Sequence, residues 1–350
     1  MKKVSIDDVA KSLGVSKTLV SLVINNKSEQ YGISEETKQR VLKKIVEMNF
    51  QPNRAARGLR TGKSNVIGVI VSDISNPFYS RIARVIEDNA RKAGYHIMLC
   101  SSDEDVDKEL ELINILKNSQ QVDGLIISSS QNSPAQLSPL AKSEFPTVFI
   151  DRSIDKLKCV SVGVDNKQGS ADAVNQLIKN GLKKIAIFTI SPSYISTIHD
   201  RLEGYKQALR DNQIKFDKNL VREIPFSDIK NSVKRELKSL LSTSSGIDGL
   251  FVVNNHIALA CLESFSELDI RIPHALAFVS FDDIDVFKFY SPSITAVAQP
   301  VDEIGEVAFA ELLSLINKNR PEDKPLKIEL PTTLMIRKSC GTYLNSKITA

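Results

Sequence analysis

Residues 5–26, SIDDVAKSLGVSKTLVSLVINN, decide how this chain is read. Ser5 is a good helix N-cap, and Asp7 and Asp8 fall in the first turn, where the helix dipole favours negative charge. Val9, Ala10 and Leu13 give this first helix an apolar face, and Gly14 supplies the left-handed conformation that a tight turn needs. Ser16 caps a second helix, in which Leu19, Val20 and Val23 face inward while Lys17, Thr18, Ser21, Leu22 and Asn25 point away. Helix, glycine turn, helix is a geometry that lays a second helix in the major groove of DNA.

Working outward, Ser34 caps a third helix in SEETKQRVLKKIVEMNF (34–50), and QPNRAARGL (51–59) opens a small fourth one after its proline. So short a module has too little core to be an enzyme. It is also basic: residues 1–63 carry 13 Lys and Arg against 6 Asp and Glu, whereas the other 287 residues carry 33 against 36. A basic module on a near-neutral body implies a polyanion partner for the module alone. At 350 residues and 42% apolar content, two or three domains are expected.

Cys100, Cys159, Cys261 and Cys340 lie far apart with no CxxC pair, which argues against a disulfide framework or a structural zinc site and fits a reducing compartment. The opening MKKVSIDDVAKSLG has no apolar core like that of a signal peptide, and no run approaches the ~18 apolar residues of a membrane span. A soluble cytoplasmic protein without a membrane partner is expected.

After residue 64 the pattern changes to βαβ units. Val66–Val71 reads as a buried strand and a helix follows from Pro77 to Ala93. Strand-like runs recur at His96–Cys100, Gly124–Ser128, Thr147–Ile150, Ile185–Thr189, Gly249–Val253 and Ala277–Phe281. Helical stretches separate most of them, which implies parallel sheets, and the length implies two similar lobes.

The first 60 residues resemble the headpiece of the lactose-repressor (LacI/GalR) family. The family's DVA, GVS, VS and VxN elements appear as Asp8-Val9-Ala10, Gly14-Val15-Ser16, Val20-Ser21 and Val23-Ile24-Asn25, and its YxPNxxARxL hinge signature as Phe50 to Leu59. The body resembles the family's periplasmic-binding-protein-like core, through Ile67-Gly68-Val69-Ile70, Val122-Asp123-Gly124-Leu125-Ile126, Asp151-Arg152, Arg201 with Gly204-Tyr205, and Phe281-Asp282-Asp283 among other segments. The resemblance implies an α/β fold with a helix-turn-helix headpiece (1–50), a hinge helix and linker (51–63) and a two-lobed core (64–340). The lobes are placed at about 64–164 with 298–324 and 165–297 with 325–340, so the chain crosses near 165, 297 and 325.

Carried over by position, Lys17, Thr18 and Leu22 read base edges, and Ser16, Ser21 and Asn25 touch phosphates or fix the docking. Leu22 stands where many members have arginine, so its contact is apolar, for example to a thymine methyl. In the hinge, Leu59 matches the leucine that wedges between base steps in the minor groove, Ala56 is small enough for the groove floor, and Asn53 and Arg57 complete the DNA-binding set.

Ligands of such folds bind between lobes, at the carboxyl ends of strands. Asp73, Phe78, Tyr79, Arg152, Arg201, Phe226, Asn254 and Asp282 fall at or near such places. Arg201 is expected to head a helix from Arg201 to Arg210. Carboxylates, arginine and amide bind sugar hydroxyls, and an aromatic face suits a sugar's apolar side. The expected effector is a sugar or sugar derivative, with a purine-type ligand as the alternative. Asn255 departs from the family's usual aspartate, and Ala260 from a common glycine.

An enzyme reading finds little support. Gly62-Lys63-Ser64 would need glycine at 57 to complete a phosphate-binding loop, and Arg57 stands there. His96, His199, His256 and His274 show no metal-ligand spacing. No catalysis, cofactor or metal is expected; a sugar sensor that does not bind DNA is the other alternative. The partners expected from the resemblance are palindromic double-stranded operator DNA, a small-molecule effector and a second copy of the chain. The ten residues after Cys340 are too few for a heptad tetramerisation helix, which favours a dimer.

Overall fold

A computed structural model describes residues 4–50, 63–131, 134–154, 157–191, 194–242 and 246–341. Two compact units divide the chain, Met1–Ser64 and Asn65–Ala350.

The first unit contains α1 (Ile6–Leu13), α2 (Lys17–Ile24) and α3 (Glu35–Glu47). Its helix starts follow the sequence closely. Ser5 and Asp8 form a reciprocal capping box: the Ser5 backbone N–H donates to Asp8 Oδ2 at 2.8 Å while Asp8 N–H donates to Ser5 Oγ at 3.3 Å. Gly14 takes φ 67°, and Ser16 Oγ accepts from Leu19 N–H at 3.1 Å. Val9, Ala10, Val20, Val23, Val41 and Phe50 form a small buried core with Leu13, Leu19 and Ile45 packed against it.

The second unit is built on two six-stranded sheets. The first runs β11-β5-β4-β3-β1-β2 and the second β12-β10-β9-β8-β6-β7. In chain order the strands are β1 (Val66–Val71), β2 (His96–Ser101), β3 (Gly124–Ile127), β4 (Thr147–Ile150), β5 (Val160–Val164), β6 (Ile185–Ser191), β7 (Val221–Pro225), β8 (Gly249–Val252), β9 (Ala277–Phe281), β10 (Thr295–Ala298), β11 (Lys327–Leu330) and β12 (Thr333–Met335). All pairings are parallel except β10 with β12. Helices cover the sheets: α4 (Pro77–Lys92), α5 (Val106–Asn114), α6 (Pro134–Lys142), α7 (Asn166–Lys179), α8 (Ser196–Asp211), α9 (Ile229–Leu241), α10 (Asn255–Glu267), α11 (Val286–Phe289) and α12 (Val301–Ile316). The central strands β3, β4, β8 and β9 are buried along their whole length, as expected of parallel sheets covered on both faces.

Three segments join the lobes. Asp165 links β5 of the first sheet to α7, which packs on the second; Gln299 and Pro300 lead from β10 back to α12 against the first. The third crossing falls at Pro331–Thr332 rather than near 325, because Lys327–Leu330 pairs in register with Ser161–Val164 in the first sheet. The stretch 325–330 therefore belongs to the first lobe, and Ala298, in β10, to the second. The helix expected at 201–210 starts earlier, at Ser196, which puts Arg201 in its second turn. Gly204 lets α8 lie directly against α7: a Cβ there would stand 2.2 Å from the Lys167 carbonyl oxygen.

Candidate functional site

The carboxyl ends of the parallel strands converge on one cavity of about 60 Å³ between the lobes. All eight residues singled out in the sequence line it: Asp73, Phe78 and Tyr79 after β1, Arg152 after β4, Arg201 on α8, Phe226 after β7, Asn254 after β8 and Asp282 after β9. The structure adds Asn76, Glu104, Asp151, Thr197, His256 and Gln299, which the sequence reading did not select.

On the first lobe, Tyr79 Oη donates to Asp151 Oδ2 at 2.8 Å and accepts from Ser128 Oγ at 3.1 Å. Burial pushes the Tyr79 phenol far up, so it stays a neutral donor. Burial also pushes the Asp151 carboxyl up, an effect opposed by the guanidinium groups of Arg152 and Arg201. Arg152 forms a fork with Glu104, Nη1 to Oε2 and Nη2 to Oε1, each at 2.6 Å, with both side chains largely buried. The Nε of Arg152 faces Asp151 at 3.6 Å.

On the second lobe, Arg201 is 4% exposed and held by neutral partners: Nε donates to Asn166 Oδ1 at 2.8 Å and Nη1 to the Val253 carbonyl at 2.6 Å. Its guanidinium lies 3.7 Å over the Phe281 ring, a cation–π contact in a desolvated place. Asp282 accepts from Gln299 Nε2 at 2.6 Å and from Asn255 N–H at 3.3 Å. Asn254 caps α10 by accepting from Ile257 N–H at 2.9 Å, and Phe226 stacks on His256 at 6.4 Å between ring centroids. Asp151 and Asp282 both take positive φ, 63° and 68°, directly after their strands; aspartate tolerates that left-handed turn better than most residues.

Polar contacts cross between the lobes. Asn255, wholly buried, donates its Nδ2 to Asn76 Oδ1 at 2.9 Å, and Asn76 Oδ1 also accepts from Phe78 N–H at 3.0 Å as the cap of α4. An amide at 255 therefore supplies a donor where aspartate would present another acceptor. Ser153 N–H donates to Ser196 Oγ at 3.1 Å, and His256 Nε2 lies 3.8 Å from Asp73 Oδ2. No group of three or more His, Cys, Asp or Glu able to hold a metal exists among the described residues. No helix among them is long and apolar enough to cross a membrane.

In the first unit, Lys17 and Thr18 are exposed at the start of α2, with Lys17 also paired to Asp7. Ser16 is the cap, and Asn25 Nδ2 donates to the Ser21 carbonyl at 2.7 Å at the helix end. Leu22 is half-buried and is not among the residues packed on the core of this unit. Asn53, Ala56, Arg57 and Leu59 lie outside the described residues.

A unit whose described residues fold into three helices, the second with Lys17 and Thr18 exposed, followed by two parallel-sheet lobes around a polar cleft, defines a DNA-binding, ligand-sensing class of protein. Comparison with known proteins agrees. Residues 5–53 match the model for bacterial regulatory proteins of the lacI family, and residues 174–340 match the periplasmic binding protein-like domain. The HTH-type transcriptional regulator RegA of Clostridium saccharobutylicum is 32% identical over 93% of this chain and 96% of its own length. The ribose operon repressor of Halalkalibacterium halodurans is 33% identical over 98% of this chain and 99% of its own. Among solved structures, the lac repressor dimer bound to operator and the anti-inducer ONPF superposes with a TM-score of 0.83 at 26% identity, covering 97% of this chain and 99% of that one. The chain belongs to the lacI family of bacterial regulatory proteins and is a DNA-binding transcription regulator.

Proposed function

We propose that this regulator is a repressor that binds a palindromic operator as a homodimer and changes its DNA affinity when a sugar enters the cleft between its lobes. The observation that carries this reading is the convergence of Asp73, Arg152, Arg201, Asn254 and Asp282 with Phe78, Tyr79 and Phe226 on one cavity. Fixed carboxylate, guanidinium and amide groups match hydroxyls in pairs, and ring faces match the apolar side of a sugar. The name of the ribose operon repressor supports both the sugar and the repression. The body is read as a binding module, with no chemical step assigned to it.

Lys17, Thr18 and Leu22 are the base-reading residues in this account, and Ser16, Ser21 and Asn25 fix the docking. The lac repressor dimer supports a dimer here. An open groove of about 530 Å³ lined by Pro77, Arg81, Leu259, Val286 and Lys288, beside Phe289 at 84% exposure, offers apolar surface for a second copy. Two-fold dimers match palindromic sites. Selection from a random duplex library tests the reading: a palindromic site with a steep negative slope of log affinity against log salt is expected. Weak binding without sequence preference contradicts it.

A further inference from the structure

A second cavity of about 220 Å³ adjoins the cleft, sharing Arg152 and Ile195 with it. We propose that this cavity is a subsite for a second sugar ring, so that the effector is a disaccharide or a glycoside of that size. The inference rests on the sugar reading above and extends it.

Space makes the first argument. The inner cavity, at about 60 Å³, has room for about four waters, fewer than the non-hydrogen atoms of one hexose. Side chains must draw back to admit even one ring, and a second ring has nowhere to go within it. The adjoining cavity is several times larger and lies on the far side of the Arg152–Ile195 wall.

Chemistry makes the second. Helix α8 serves both cavities: Thr197, Ile198 and Arg201 face the inner one, and Ser196 and His199 the outer. Tyr194, 48% exposed, offers an aromatic face there of the kind that stacks on a pyranose. Gln131 also lines the outer cavity and is 6% exposed. Its Nε2 donates to the Val106 carbonyl at 2.7 Å, which fixes the amide orientation, and its Oε1 has no hydrogen-bond partner. The Nε of Arg152, in the shared wall, faces the Asp151 carboxylate of the inner cavity at 3.6 Å. A buried acceptor left over beside this polar cavity calls for a ligand that donates a hydrogen bond, and a sugar hydroxyl does so.

The test is calorimetric titration of the full chain with glucose, galactose, mannose and xylose, each set against its disaccharides. The probes for the second ring are maltose, cellobiose, lactose, mannobiose and xylobiose. One disaccharide is expected to bind at least about tenfold more tightly than its monosaccharide. Filling the outer cavity with His199→Trp, a substitution at an exposed position, is expected to erase that ratio and leave the monosaccharide affinity unchanged; Tyr194→Ala is expected to reduce it. Equal affinity for monosaccharide and disaccharide, or a ratio that survives both substitutions, overturns the subsite alone. If no sugar binds while the protein still binds its selected DNA, the sugar reading falls and the subsite with it.

Discussion

Glu104 shows what a single residue does here and why it escapes a sequence reading. It sits in SSDEDVD, a run of acidic residues that looks like a solvated loop, yet its left-handed backbone (φ 59°) turns the carboxylate inward onto Arg152. Glu104→Leu leaves a buried guanidinium short of its counter-ion and should cost about 3 kcal/mol in denaturant unfolding, whereas a surface pair would cost a fraction of that. Deeper in the same lobe, Glu109 accepts from Ser129 Oγ and Ser130 N–H, both at 2.6 Å, and burial pushes its carboxyl above the ordinary 4.5. The folded state thus holds the Glu109 proton more tightly than the unfolded state. That contribution is fully present below pH 4.5 and is lost as pH rises through the raised value. Glu109→Gln should therefore be most costly in acid, and its melting-temperature deficit should shrink as pH rises above 4.5; a deficit that grows with pH refutes the assignment. Arg201, Asn254 and Asp282 were legible because each stands at the end of a recognisable strand or near the start of a helix. Gln299 was not, since nothing local marks it as facing a cleft; Asp151 was passed over in favour of its neighbour Arg152, although it follows β4 as directly as Asp282 follows β9.

Elements were legible where their ends carry chemistry. The Ser5, Ser16 and Ser34 caps each accept a backbone N–H from the first turn, and all three helices begin where those serines place them. Helix α8 has no side-chain cap at Ile195, so its start was read five residues late, at Arg201 instead of Ser196. Among the missed strands β5, β7, β10, β11 and β12, β5 (VSVGV) and β7 (VREIP) interrupt their apolar residues with Ser, Gly, Arg and Glu, and β11 alternates charge on an edge, KIEL, which offers no apolar run. Its partner β5 fixes it in the first sheet and so moves the third crossing. At the packing of α7 on α8 there is no room for a side chain at 204. Gly204→Val should force the helices apart and lower stability by about 3 kcal/mol or more, measured by chemical denaturation, with weaker effector binding because Arg201 rides on the same helix. An unchanged midpoint and affinity would show that the close approach is not needed.

At the scale of the whole molecule, three covalent crossings and the Asn76–Asn255 amide pair connect lobes that share a ligand cleft. A ligand that touches both lobes favours one lobe arrangement over another by its differential affinity, and DNA affinity changes by the same coupling free energy. Asn255→Ala should weaken the link without touching DNA-binding residues, so operator affinity without sugar and its response to sugar should shift together; a variant that alters neither would remove the amide pair from the account. Reciprocity gives the most direct check of the central claim. Operator affinity should be measured at fixed salt, by titrating the selected duplex with and without the sugar that binds, followed by titration of that sugar with and without the duplex. By this linkage operator affinity should change about 5- to 150-fold, with sugar affinity changing by the same factor. A sugar that fills the cleft and leaves operator affinity unaltered would contradict it.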